Sequence, residues 1–159
     1  MRFLITGGAG FIGGHLTERL LAAGHEVAVL DNFSTGSRRN LAAVAGQPTL
    51  TVIEGDILNY SGLRELVRDC DAVYHLAAAV GVELVVNDPV RTIRTNVEGS
   101  ARVLEYAAEY RKRLILASTS EVYGKSSRAA FHESDDLLIG CPIHSRWSYA
   151  CSKLLDEFY

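Results

Sequence analysis

The sequence predicts an α/β protein built on a doubly wound parallel sheet, and three observations carry that prediction. Short apolar runs recur along its 159 residues, and most are followed by a helical pattern. The first run turns into a helix through spaced glycines, Thr6-Gly7-Gly8-Ala9-Gly10-Phe11-Ile12-Gly13. A carboxylate, Asp31, closes the second run. Strands alternating with helices lie parallel in one sheet with helices on both faces. This is the Rossmann-type arrangement.

Phe3-Leu4-Ile5 reads as the core of a first strand over 2–6, and residues 11–23 as the first helix. Gly7 permits the tight turn between them, Gly10 lets a phosphate approach the backbone, and Gly13 lets helix and strand pack closely. The helix N-terminus offers unpaired N–H groups and a partial positive charge to an anion. Ile12, Leu16, Leu20 and Leu21 recur at helical spacing and are expected to face the sheet, and Gly24 stops the helix. Val27-Ala28-Val29-Leu30 forms the second strand, over 26–31. Asp31 stands 18 residues beyond Gly13. A carboxylate at that spacing accepts hydrogen bonds from the adenine ribose and repels a 2′-phosphate, which favours NAD. The basic pair Arg38-Arg39 keeps NADP open as an alternative. Asn32, Phe33, Ser34, Thr35, Gly36 and Ser37 form a polar loop that either wraps the ribose or is simply surface.

Leu50-Thr51-Val52-Ile53-Glu54 is the third strand. Asp56 follows its carboxyl end, either to meet the adenine amine or to cap a short helix at 60–68. Ala72-Val73-Tyr74-His75 is the fourth strand, and Leu76-Ala77-Ala78 follow with side chains small enough for a cofactor to pass. His75 reads as a satisfied core histidine. Asp88 and Pro89 open the longest helix as N-cap and first position. Its expected buried stripe is Val90, Ile93, Val97, Ala101, Leu104 and Ala108, with Asn96 one position off it. Asn96 there either braces the backbone or reaches the cofactor. Leu114 to Ala117 is the fifth strand, followed by Ser118-Thr119-Ser120-Glu121. Residues 125–146 show no period and are too long for an ordinary connection, which marks a functional loop. A helix begins near Trp147. No repeat or linker divides the chain, so residues 1–159 read as one NAD-binding domain.

Composition narrows the function classes. A net charge of −3 and a pI near 5.9 argue against a nucleic-acid partner. Cys70, Cys141 and Cys151 have no metal-ligand spacing, nor do the five histidines, so no metal site is expected. The opening apolar run flows straight into the glycine turn and does not read as a signal peptide. No apolar stretch approaches bilayer length. A soluble, cytoplasmic protein with reduced thiols is the expectation.

The chemistry sits late in the chain. Tyr149 and Lys153 are four apart and share a helix face. A tyrosine ordinarily ionises near pH 10. A neighbouring ammonium and a positive nicotinamide would bring that value down. The phenolate could then take a proton from a sugar hydroxyl, with Thr119 hydrogen-bonded to the same hydroxyl.

Taken together these residues resemble the extended short-chain dehydrogenase/reductase family, in its NAD-dependent epimerase/dehydratase group acting on nucleotide sugars. The matching pieces are Thr6 to Gly13, Asp31-Asn32, Gly55-Asp56-Ile57, His75 to Ala78, Asn96-Val97-Glu98-Gly99, Ser118 to Gly124, and Tyr149 with Lys153. The resemblance implies that Phe11 and Ile12 supply backbone to the pyrophosphate and that Asp31 to Gly36 hold the adenosine ribose. It implies that Asp56 and Ile57 flank the adenine and that Leu76, Ala77 and Ala78 line the path to the nicotinamide. Asn96 touches cofactor or substrate, Lys153 also binds the nicotinamide ribose, Tyr149 is the base and Thr119 its helper. Thr119-Ser120-Glu121 resembles the triplet of UDP-glucuronate decarboxylases and GDP-mannose 4,6-dehydratases, with Glu121 moving or replacing the proton on C5. Ser120 counts against the dTDP-glucose 4,6-dehydratases, and a 4-epimerase stays open, as does a non-catalytic NAD-binding module. Members of the group run to about twice this length, so the chain is expected to stop before the substrate domain and, when complete, to form a homodimer.

Overall fold

The computed structural model describes residues 1–126 and 128–159. These fall into two compact units: Met1–Ala77 with Gly99–Ala117, and Ala78–Glu98 with Ser118–Tyr159.

The first unit holds the sheet. Its strands are β1 (Arg2–Thr6), β2 (Glu26–Asp31), β3 (Leu50–Glu54), β4 (Ala72–His75) and β5 (Arg113–Leu116), all parallel, in the order β3-β2-β1-β4-β5. This is the doubly wound α/β arrangement that the sequence predicts. β5 begins and ends one residue earlier than the apolar run suggests. Alternate residues of each strand feed opposite faces. On one face Leu4, Ala28, Leu30 and Val73 pack with Leu63 and Val67 of helix α2 (Leu63–Arg68) and with Val103 and Ala107 of α5 (Ser100–Glu109). On the other, Ile5, Val27 and Val29 pack with Leu21 of α1 (Phe11–Ala22) and with Leu41 and Val44 of a 3₁₀ helix, Arg38–Val44. Strand order reverses at β1, so the carboxyl ends of β1 and β4 flank the crevice where such sheets take their ligands.

In α1 the expected face holds at Leu16, Leu20 and Leu21, which pack on the core, but not at Ile12, which is exposed; Gly13, Gly14 and Thr17 are buried beside them. The closest approach falls at Gly13, whose missing side chain makes room for the Gly7 carbonyl. The long helix that Asp88 and Pro89 open is divided by a π-helical turn, Arg94–Gly99, between α4 (Pro89–Ile93) and α5. Asp88 does cap it, accepting from Arg91 N at 3.0 Å. Its buried positions are Thr92, Asn96, Gly99, Ser100, Val103 and Ala107, while Val90 and Ile93 are exposed.

The second unit contains α3 (Val82–Asn87), α4, a 3₁₀ turn at Ser120–Tyr123, and α6 (Trp147–Phe158). Between the last two the described residues form no regular helix or strand, only a single bridge from Gly124 to Leu138, and Ser127 lies outside the described residues. Among the described residues no helix is long and apolar enough to cross a membrane.

Candidate functional site

The first unit carries a cradle at the carboxyl ends of its strands. Gly7 has φ +73°, and a side chain on it would stand 2.6 Å from the Ala77 nitrogen that follows β4. Only glycine fits so close a crossing. Its N–H donates to the Leu30 carbonyl at 2.8 Å, tying the turn to the end of β2. The start of α1 has no side-chain cap, so its first N–H groups remain for an anion. Phe11 and Ile12, in that first turn, turn their side chains to solvent. Space above Gly10 is open apart from the Gly7 carbonyl at 3.2 Å.

Asp31 is buried at the end of β2, and both of its oxygens accept backbone N–H groups: Oδ2 from Ala9 at 2.9 Å and Oδ1 from Phe33 at 2.8 Å. Each carboxylate oxygen still has acceptor capacity for a hydroxyl. Phe33 takes the left-handed conformation, φ 55°, in closing this turn. The loop after Asp31 folds back onto the glycine turn: Ser37 N and Asn40 Nδ2 both donate to the Ala9 carbonyl, at 2.9 and 2.8 Å. Gly36 lies against Ala9 and Asp31 in the same fold-back. Ser34 N donates to Asn32 Oδ1 at 3.0 Å, and Asn32 Nδ2 to Asp56 Oδ2 at 2.7 Å. The alternatives for Asp56 are thereby narrowed. It does not cap α2, whose N-cap residue is Gly62 and which has no side-chain cap; it closes its own turn through Leu58 N, 2.9 Å from Oδ1. Ile57 is held from behind by Arg102, whose guanidinium donates to the Ile57 carbonyl and, at 3.3 Å, to that of Tyr60. Asn40 and Arg102 escape a motif reading because each acts through backbone carbonyls far away in sequence.

His75 is core, as expected. Its ring bonds Thr6 Oγ1 at 2.6 Å and Ser100 Oγ at 2.9 Å, fastening the ends of β1 and β4 beneath the turn. Leu76 N continues the ladder to the Thr6 carbonyl. The residues present fit a dinucleotide: a side-chain-free turn, an uncapped helix start, and a carboxylate at the end of β2.

The second unit brings Thr119, Glu121 and Tyr149 together, while Lys153 pairs with Asp156 and Asn96 with Ala79 and Ser152. Thr119 caps the 3₁₀ turn, its Oγ1 accepting Glu121 N at 3.2 Å, and it is hydrogen-bonded to the Tyr149 hydroxyl. Burial pushes the half-buried Tyr149 phenol above its ordinary value, the charges of Glu121 and Asp156 add to the rise, and the Thr119 bond opposes it. The expected depression by Lys153 is therefore corrected: the Lys153 ammonium donates to Asp156 Oδ2 at 2.7 Å instead. For Asn96 the bracing alternative holds. Its Oδ1 accepts Ala79 N at 2.7 Å, and its Nδ2 donates to the Ala79 carbonyl at 3.2 Å and to Ser152 Oγ at 3.0 Å. Ser152 in turn donates to the Tyr149 carbonyl at 2.8 Å. Asn96 thus joins the segment after Ala78 to the second turn of α6.

Fold and cradle define a dinucleotide-binding α/β protein, and the second unit holds the hydrogen-bonded pair Thr119–Tyr149. The chain belongs to the NAD dependent epimerase/dehydratase family, whose model matches residues 3–157. That assignment bears out the resemblance read from the motifs, and the family is NAD-dependent and enzymatic. Over 156 residues the chain is 44% identical to UDP-N-acetyl-alpha-D-glucosaminuronate decarboxylase of Bacillus cytotoxicus, covering 98% of this chain and 48% of the relative. Among solved structures it is similar to DesIV, a dTDP-glucose 4,6-dehydratase from Streptomyces venezuelae with NAD bound, at 36% identity and a TM-score of 0.88. That match covers 99% of this chain and 50% of the other. A UDP-N-acetylglucosamine 4-epimerase from Methanobrevibacter ruminantium M1 matches at 30% identity and a TM-score of 0.88, over 99% of this chain and 48% of that one. The chain spans about half the length of these relatives.

Proposed function

We propose that this chain provides the NAD-binding and proton-transfer machinery of an enzyme that oxidises a nucleotide sugar at C4. The carrying observation is the hydroxyl pair Thr119–Tyr149 with Glu121 near enough to raise the phenol. When bound, NAD supplies the hydride acceptor. Tyr149 takes the C4 hydroxyl proton while Thr119 holds the oxygen. A ketone at C4 acidifies C5 and labilises a carboxylate there, and Glu121 is the group to move or return the C5 proton. The reading is a UDP-glucuronate-decarboxylase-like or 4,6-dehydratase-like enzyme on a UDP-, GDP- or dTDP-linked sugar. The similarity to a nucleotide-sugar decarboxylase over nearly the whole chain supports the first of these. The exposed Val82, Val86, Val90 and Ile93 of α3 and α4 support the expected homodimer of the complete protein.

The test is Tyr149→Phe in the complete protein, assayed on UDP-glucuronate, GDP-mannose, dTDP-glucose and UDP-glucose. Loss of turnover with NAD still bound is expected. Retained turnover would remove Tyr149 from the mechanism, and turnover of UDP-glucose alone by the unmodified protein would replace the decarboxylase reading by the epimerase.

A further inference from the structure

We infer that Glu54 sets the choice of NAD over NADP together with Asp31, by holding Arg38 away from the 2′-position. The inference rests on the NAD reading. Asp31 and Glu54 are register partners at the carboxyl ends of β2 and β3. Register partners on neighbouring strands emerge on the same face of a sheet. Glu54 is therefore a second carboxylate beside the one that faces the ribose. It is occupied by Arg38, whose guanidinium donates to Glu54 Oε2 at 2.6 Å.

The rest of the Arg38 environment keeps that cation beside the ribose loop. Its guanidinium lies 4.3 Å from the centre of the Phe33 ring. Phe33 is the residue whose N–H donates to Asp31 Oδ1 at 2.8 Å. One residue earlier, Ser37 is fixed to the Ala9 carbonyl at 2.9 Å and caps the 3₁₀ helix that Arg38 begins. Asp31, Phe33, Arg38 and Glu54 thus form one connected group. It carries two carboxylates and one guanidinium, a net negative field toward a 2′-phosphate. A planar guanidinium is the side chain best fitted to grip a phosphate in a bidentate way. Bound to Glu54 through one terminal nitrogen, its charge is offset and that nitrogen is turned toward the carboxylate. This pairing opposes the Arg38 part of the NADP alternative that the Arg38-Arg39 pair raises.

Both partners are largely solvent-exposed, so the pair is weak and breaking it costs the fold little. That makes the lock removable. The experiment is calorimetric titration of the chain with NAD and with NADP, for wild type, Glu54→Gln, Arg38→Ala and the double variant. Glu54→Gln is expected to tighten NADP by about two- to fivefold, because the freed guanidinium gains for the 2′-phosphate no more than an exposed ion pair is worth. The double variant should lose that improvement, and high salt should shrink it. An improvement of less than about twofold would overturn the inference, as would one that survives in the double variant, since Arg38 would then have no part in it. Wild-type protein that binds NAD while Glu54→Gln leaves NADP unchanged overturns this inference alone. Wild-type protein that binds neither nucleotide overturns the cofactor reading as well.

Discussion

Lys153 and Asp156 form an ion pair inside the second unit, 2.7 Å apart, with side chains 2% and 0% exposed. A buried ammonium is tolerated only where a counter-charge meets it, because desolvation otherwise exceeds any other contact it makes. Removing the carboxylate leaves that charge uncompensated. Asp156→Ala is expected to lower stability by about 3–5 kcal/mol. Replacing both residues, Lys153→Met with Asp156→Leu, should cost much less, since the double change removes the need for a partner. Denaturant unfolding measures both. An Asp156→Ala protein as stable as wild type would show that the pair contributes nothing.

The same pair bears on how Tyr149 becomes a base. Burial, then Glu121, raises the phenol, and Thr119 alone among the causes lowers it. A raised value keeps Tyr149 protonated to higher pH, so a rate that needs the phenolate grows as pH rises toward that value. Removing the Glu121 charge takes away a raising cause: Glu121→Gln should let Tyr149 ionise at lower pH. Thr119→Val removes the lowering bond and should move it the other way. Tyrosine ring-carbon NMR across an alkaline titration follows both. Shifts of one sign in the two variants would contradict this electrostatic account.

The competition around Lys153 also shows where a sequence stops being legible. On a helix Tyr149 (four back) and Asp156 (three ahead) are both neighbours of Lys153 by spacing. Spacing cannot choose between them, whereas burial does, because a carboxylate compensates an ammonium and a phenol does not. The displaced face of the long helix has a related cause. Periodicity reads apolar residues as inward, yet Thr92 and Asn96 are buried because Asp88 and Ala79 supply hydrogen bonds. The Thr92 bond is local, to the carbonyl four residues back, but the Ala79 partner of Asn96 comes from the fold and is not visible in the pattern. The glycine turn, by contrast, is legible residue by residue, since Gly7 and Gly13 answer to close approaches that no other residue permits. The place of Asp31 is legible for the same local reason: it ends a strand, where its carboxylate gathers the N–H groups of Ala9 and Phe33. Ile12 is misplaced by periodicity because helical spacing does not say which turn makes the closest approach.

The three thiols should separate by reactivity. Cys70 is buried, burial pushes its thiol up, and its Sγ bonds the Val67 carbonyl at 3.2 Å. Cys141 and Cys151 are exposed. A thiolate-seeking reagent needs both access and ionisation. Native protein should therefore titrate two thiols quickly and the third only on unfolding. Equal rates for all three would mean that the Cys70 environment opens readily.

Asn96 offers the sharpest test of how the second unit holds its shape. Its carboxamide satisfies both backbone groups of Ala79 and reaches Ser152, so three bonds depend on one buried side chain. Asn96→Leu is close in size and removes all three, leaving two backbone groups without that partner. An unsatisfied buried backbone group costs about 1–3 kcal/mol, so the loss should reach several kcal/mol before any repacking. Asn96→Asp separates donor from acceptor: Oδ1 still accepts Ala79 N, while the Ala79 carbonyl and Ser152 lose their donor and a charge is buried. Both variants should therefore be destabilised. Amide exchange distinguishes them, because the Ala79 N–H should stay protected in Asn96→Asp and exchange fast in Asn96→Leu. Equal protection of Ala79 in the two variants would mean that another group holds the segment, and Asn96 would return to being a candidate for cofactor contact.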